Sequence, residues 1–256
     1  MLDNYILMHK DIPCGVVAID RDSGALVEFA AIDKKYLPFL GGANLNSMKV
    51  WWSHRAIPGE RKEMEEVMRK AGCINSTLYL AKNLALSITD TYWICPADIE
   101  LSWAEVSLHR MCGRGNEILS YHNGTSYDPN ASLGGQMNKY WDLSDAMPKL
   151  VKKAYEHYGQ QSINELFATE VHIRQSAGIP FVKYTEKRAD DNAMLTCCDA
   201  FTSESVEFVS AYEVLRSRKL RNDRSEYDQY IDICEEKGLN RPEMQAFMDY
   251  LVKIGR

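Results

Sequence analysis

Along the first 30 or so residues, short apolar runs alternate with turn formers. Tyr5-Ile-Leu-Met8, Gly15-Val-Val-Ala-Ile19 and Ala25-Leu-Val-Glu-Phe-Ala-Ala-Ile32 are separated by Asp, Ser and Gly, the pattern of a small antiparallel sheet. Pro58 then stands where a helix can begin, and the Glu-, Lys-, Arg- and Met-rich stretch from Gly59 to Ala71 predicts a helix, with a second from about Ser76 to Leu86. Tyr92-Trp-Ile-Cys-Pro96 reads as a strand closed by its proline, and Ser102 to Met111 as a further helix. Arg114 to Leu133 concentrates Gly115, Asn123-Gly124, Pro129 and Asn130, and the main boundary is placed there.

Beyond the boundary, strands are expected over Lys149 to Tyr155, Phe181 to Tyr184 and Ala193 to Cys198, with a helix over Ser162 to Ser176. The last part is helical by period. Tyr227, Tyr230, Ile231 and Cys234 fall at i, i+3, i+4 and i+7, as do Met244, Phe247, Met248 and Leu251. Elements of both kinds in this order predict an α+β chain.

Composition narrows the function classes. With 256 residues, 45% hydrophobic and 26% charged, the chain has ordinary globular content. No apolar run approaches the roughly 18 residues of a membrane span, and the start carries no leader pattern, so a cytoplasmic location without membrane contact is expected. A net charge of −6 argues against extensive nucleic-acid binding, which needs a cationic surface. The basic stretch Arg216-Ser-Arg-Lys-Leu-Arg-Asn-Asp-Arg224 is the local exception, and a solvated loop is its simplest reading. Seven cysteines without a C-x-x-C pair suggest core packing, not a disulfide framework or a zinc site. The histidines form neither H-x-x-x-H nor H-E-x-x-H, and no G-x-S-x-G occurs, so metal and serine hydrolase readings lack support.

One grouping could carry chemistry. In Ser132-Leu-Gly-Gly-Gln-Met-Asn-Lys139, Gly134 and Gly135 would let backbone approach a phosphate, with Lys139 adding charge, although a plain turn fits the same residues. Leu150-Val-Lys152 then leads apolar strand residues into a lysine, and Glu165 opens the following helix. Protein kinases place a phosphate-holding lysine and its glutamate partner in this order, whereas two surface charges are the competing reading.

Several blocks, in order, resemble the HipA-like serine/threonine kinases. They are Asn164-Glu-Leu-Phe-Ala-Thr-Glu-Val-His172, Phe181-Val-Lys-Tyr184, Glu207-Phe-Val-Ser-Ala-Tyr-Glu-Val-Leu215 and Tyr227 to Leu239. Upstream, Trp52-Ser-His-Arg-Ala-Ile-Pro58, Leu86-Ser-Ile-Thr-Asp-Thr-Tyr-Trp-Ile-Cys-Pro96 and Leu101-Ser-Trp-Ala-Glu-Val106 resemble the amino-terminal extension of a bacterial branch of that family, whose members include toxin components of toxin-antitoxin pairs. The resemblance implies a small mixed β/α subdomain over 1–125, a kinase-like small lobe of antiparallel sheet plus helix over 126–202, and the first helices of a large lobe over 203–256.

It also implies ATP as ligand. Lys152 would hold its phosphates, with Lys149 or Lys153 as register alternatives, and Glu165 would be the helix partner, with Glu170 as runner-up. Ser132 resembles a loop serine that some members autophosphorylate. Cys198, in Cys197-Cys-Asp-Ala-Phe201, resembles the adenine-facing segment between the lobes. The departure is at the catalytic loop, where a kinase has asparagine five residues after its aspartate. Asp223, Asp228, Asp232 and Asp249 are followed at that spacing by Asp228, Ile233, Lys237 and Ile254, so no catalytic residue and no metal ligand is assigned. The expectation is a truncated pseudokinase, binding magnesium only with a completing partner chain and associating with itself or a protein partner through the carboxyl-terminal helix. A split-kinase subunit and an interaction module without nucleotide are the alternatives.

Overall fold

The computed structural model describes residues 1–59, 61, 64–113, 127–135, 137–154, 159–175, 178–189 and 192–253. The turn formers at Gly115 and Asn123-Gly124, where the sequence places its main boundary, lie outside them, as do Gln136 of the glycine turn and Tyr155 and Ser176 at expected element ends. The architecture is α+β, with two antiparallel sheets and eight α-helices among the described residues. Chain contacts divide it into two units, 1–33 with 44–208, and 34–43 with 209–256.

In the first unit, β1 (Leu2–His9), β2 (Ile12–Asp20), β3 (Leu26–Ala31) and β4 (Tyr92–Pro96) form one sheet in the order β3-β2-β1-β4. The β2–β3 turn depends on Gly24. Its φ is +68°, and a Cβ there would lie 2.4 Å from the backbone nitrogen of Leu78, so only glycine fits. Helix α1 (Leu45–Arg55) is capped by Asn44, whose side chain accepts from the amides of Asn46 and Ser47, and it buries Met48, Trp51, Trp52 and Arg55. Trp52 Nε1 donates to the Gly24 carbonyl at 2.8 Å, fixing helix to turn.

Helix α2 (Met64–Ala71) is shorter than the stretch predicted from Gly59, and α3 ends at Lys82 (Ser76–Lys82), four residues before the expected limit of Leu86. The single helix expected from Ser102 to Met111 is two pieces, α4 (Trp103–Val106) and a 3-10 turn, Leu108–Met111. Ile57, Met64, Tyr79 and Ala131 bury a cluster that carries the chain from α1–α3 to the second sheet.

That sheet has the order β5-β6-β8-β7, built from β5 (Lys139–Asp142), β6 (Lys149–Lys153), β7 (Thr185–Arg188) and β8 (Met194–Asp199). Helix α5 (Gln160–Gln175) enters between β6 and β7 in sequence. Four flat strands would set β5 and β7 about 14 Å apart. Lys187 Nζ nevertheless meets Asp142 Oδ2 at 2.6 Å, so the sheet curls. The strand expected at Phe181 to Tyr184 is not one, because those residues face α5. Phe181 stacks on His172 with centroids 5.0 Å apart, and the Tyr184 amide donates to Thr169 Oγ1 at 3.0 Å. The ladder starts one residue later.

After β8 the chain returns to the first sheet. The Glu207 carboxylate accepts from the Thr91 amide at 2.9 Å, from the Thr91 hydroxyl, and from His9 Nε2 at 2.9 Å.

The second unit contains α6 (Ala211–Arg216), α7 (Glu226–Glu236) and α8 (Arg241–Lys253) with two 3-10 turns, Lys34–Tyr36 and Phe39–Gly41. Val214, Ile233 and Cys234 form its core, with Leu40, Tyr230 and Met244 packed against them. Three cations of the basic stretch are paired locally. Arg218 pairs with Glu236, Arg221 with Asp223 and Arg224 with Asp232, and the buried Gln229 bonds the backbone of Arg221 and Arg224. All seven cysteines are free. No helix among the described residues is long and apolar enough to cross a membrane.

Candidate functional site

On β6 the side chains alternate faces. Val151 goes into a core with Leu195 and Cys197, so Lys152 points to the opposite face, where α5 lies. The face of α5 turned to the sheet carries Ser162, Glu165 and Thr169, with Ser162 and Thr169 buried. Lys152 Nζ therefore meets Glu165 Oε1 at 2.5 Å, with side-chain exposures of 14% and 30%. The ammonium also sits 4.3 Å from the centre of the Tyr184 ring. Burial opposes its charge, but hydrogen bonds to Glu165 and Tyr184 outweigh that and hold its pKa above the ordinary lysine value.

The register alternatives resolve geometrically. Lys149 is engaged with Asp145 at 2.5 Å, and Lys149 and Lys153 share the Val151 face by the strand period. Glu170 lies on the outer side of α5 with Ile163, Leu166 and Phe167. Cys198 pairs in register with Leu150 inside β8. Its thiol, raised by burial, neighbours Tyr184 and Lys152, so its side chain and not only its backbone belongs to this corner.

The glycine turn reaches the same corner by a relay of hydrogen bonds. Tyr79 Oη donates to Asp128 at 2.5 Å, the Asn130 amide donates to Asp128 at 2.8 Å, and the Trp141 amide of β5 donates to Asn130 Oδ1 at 2.8 Å. Ala131 is fully buried, and its carbonyl accepts from the Ile57 amide at 3.0 Å. Ser132 follows, half-buried, at the turn. At Gly135 φ is +84°, and a Cβ would come within 2.8 Å of the Lys139 ammonium, so the turn and Lys139 are in close approach.

Arg61 is the residue that the sequence does not disclose. It sits in a run of Glu, Lys and Arg that reads as a solvated helix, yet its exposure is 7%. Its Nη2 donates to the carbonyls of Leu133 at 2.6 Å, Gly134 at 3.2 Å and Gly135 at 2.5 Å. Burial pushes its pKa down. Lys139 is lowered as well, first by burial and then by the charges of Arg61 and Lys152. Tyr184 was likewise hidden, inside a segment read as strand.

The arrangement gathers cations, a glycine turn and one carboxylate, which is suited to binding an anion. No group of three or more His, Cys, Asp or Glu side chains among the described residues is placed to hold a metal. Compared with protein-family models, curated proteins and solved structures, the chain matches none.

Proposed function

We propose that the chain binds the phosphates of ATP through a small lobe of the HipA-like kinase type, with Lys152 as phosphate ligand and Glu165 as the residue that orients it. The observation that carries this reading is the 2.5 Å pair between a lysine of an interior strand and a glutamate of the helix that follows that strand. Protein kinases use such a strand-to-helix pair to hold nucleotide phosphates. The order β5-β6-β8-β7, with α5 inserted after β6, and a glycine turn leading into β5 support the same reading. The late aspartates lack asparagine five residues on, so the function proposed for these residues is binding and not phosphoryl transfer.

The outer face of α5 favours a second reading, a protein-interaction module. There Phe167 is 68% exposed beside Ile163, also exposed. Calorimetric titration with ATP separates the two. Phosphate contacts from this lobe predict a dissociation constant on the order of tens of micromolar to millimolar, weakened about tenfold or more by Lys152→Met in a variant that still melts cooperatively. No heat at roughly millimolar ATP would leave the interaction module.

A further inference from the structure

Two arginines are buried between the start of α1 and the start of α2, and the fold treats them differently. Arg55 is engaged at all three nitrogens. Its Nε donates to the Ala85 carbonyl at 2.8 Å, Nη1 and Nη2 pair with Asp90 at 2.6 and 2.7 Å, and Nη2 also reaches the Tyr92 carbonyl. Arg61 is engaged at one nitrogen only. Its Nε and Nη1, which carry most of its N–H donors, are buried with no hydrogen-bond partner among the described residues, and no carboxylate there pairs with it. Arginine does not shed its proton to relieve this, so such a group calls for an anion.

Lys139 adds to the imbalance. Its ammonium lies against Gly135, whose carbonyl Arg61 holds, and it has no ion pair among the described residues. Lys139 feels the charges of Arg61, Lys152 and Glu165, so together with it three cations stand against one carboxylate, which Lys152 already engages. A monoanion would leave that corner with excess positive charge. Orthophosphate and a phosphate chain can both supply that charge, and the chain's oxygens, being more numerous and spread out, accept from several directions at once.

We infer that Arg61 and Lys139, meeting at Gly135, form a second phosphate subsite beside Lys152, and that the ligand class of the corner is a condensed phosphate chain, whether borne by a nucleotide or free. A phosphate there accepts from Nε and Nη1 of Arg61 and from Lys139, while Nη2 keeps its hold on the turn. This extends the phosphate-binding proposal above and shares its premise that Lys152 faces phosphate.

The test titrates the full chain with sodium tripolyphosphate, orthophosphate, ATP and adenosine, in the wild type, Lys139→Gln and Arg61→Gln, with thermal melts of each. Tripolyphosphate should bind the wild type at least about tenfold tighter than orthophosphate, and each variant should lose about tenfold or more for tripolyphosphate. Lys139 is only half-buried, so its variant reports even where Arg61→Gln unfolds. If ATP binds while Lys139→Gln and a folded Arg61→Gln bind tripolyphosphate as the wild type does, the subsite is refuted and the ATP proposal stands. If tripolyphosphate binds and weakens in the variants while ATP gives no heat at roughly millimolar concentration, the subsite stands and the ATP proposal falls. Absence of binding by both phosphate chains refutes the two together.

Discussion

Glu207 shows how one carboxylate can hold a distant segment in place. Desolvation pushes its pKa up, but the hydrogen bonds from His9 and Thr91 and the His9 charge overcome that and bring it to about 2. A carboxyl depressed in the fold stabilises it fully above its unfolded value, about 4.5, and loses that contribution as the pH falls toward 2. Glu207→Gln should therefore cost about 1–2 kcal/mol at pH 7, the range for losing charged hydrogen bonds at a partly solvated position. Urea unfolding at pH 7 and pH 3 checks it, and the gap between wild type and variant should be narrower at pH 3. Single residues differ in how far the sequence discloses them. Lys152 and Glu165 are legible because strand and helix patterns surround them. Arg61 is not, since its burial comes from the Leu133–Gly135 turn, more than 70 positions away in the chain.

At the scale of elements, α5 has two unlike faces. Ser162, Glu165 and Thr169 lie on the sheet side, whereas Phe167 projects outward. Phe167→Lys should change stability by no more than about 0.5 kcal/mol, as for other exposed positions. Leu195→Ala, in the core behind β6, should cost about 2–4 kcal/mol. Thermal melts of the two variants check the contrast, and a large loss at Phe167 would mean that this face is packed. Period and propensity reveal α5, α7, α8, β6 and β8. They fail at α1, whose buried residues Met48, Trp51, Trp52 and Arg55 do fall at i, i+3, i+4 and i+7, but the last of them is a charged residue, which cuts the apolar stripe short. They also fail at β7, Thr-Glu-Lys-Arg, a charged edge strand whose polarity hides it while the apolar Phe181-Val182 beside it draws the assignment.

For the whole chain, the order of patterned elements anticipates the α+β content, but neither the ion pairs within the basic stretch nor how much passes between residues 1–113 and residues 127–208. Ile57 bonds Ala131, Arg61 bonds the glycine turn, Tyr79 bonds Asp128, Thr202 Oγ1 bonds the Ile88 carbonyl and Thr91 bonds Glu207. The turn and β5 thus inherit their positions from Ile57 and Arg61, between α1 and α2, and from Tyr79 of α3. Such a sheet is not a transplantable part. Expressed alone, residues 127–208 should give no cooperative thermal transition, whereas 1–208 should give one, a comparison that circular dichroism makes directly. Any recombination that exchanged one half for that of another protein would have to carry Arg61, Tyr79 and Thr91 with it, so the two halves are bound to evolve as a single heritable block.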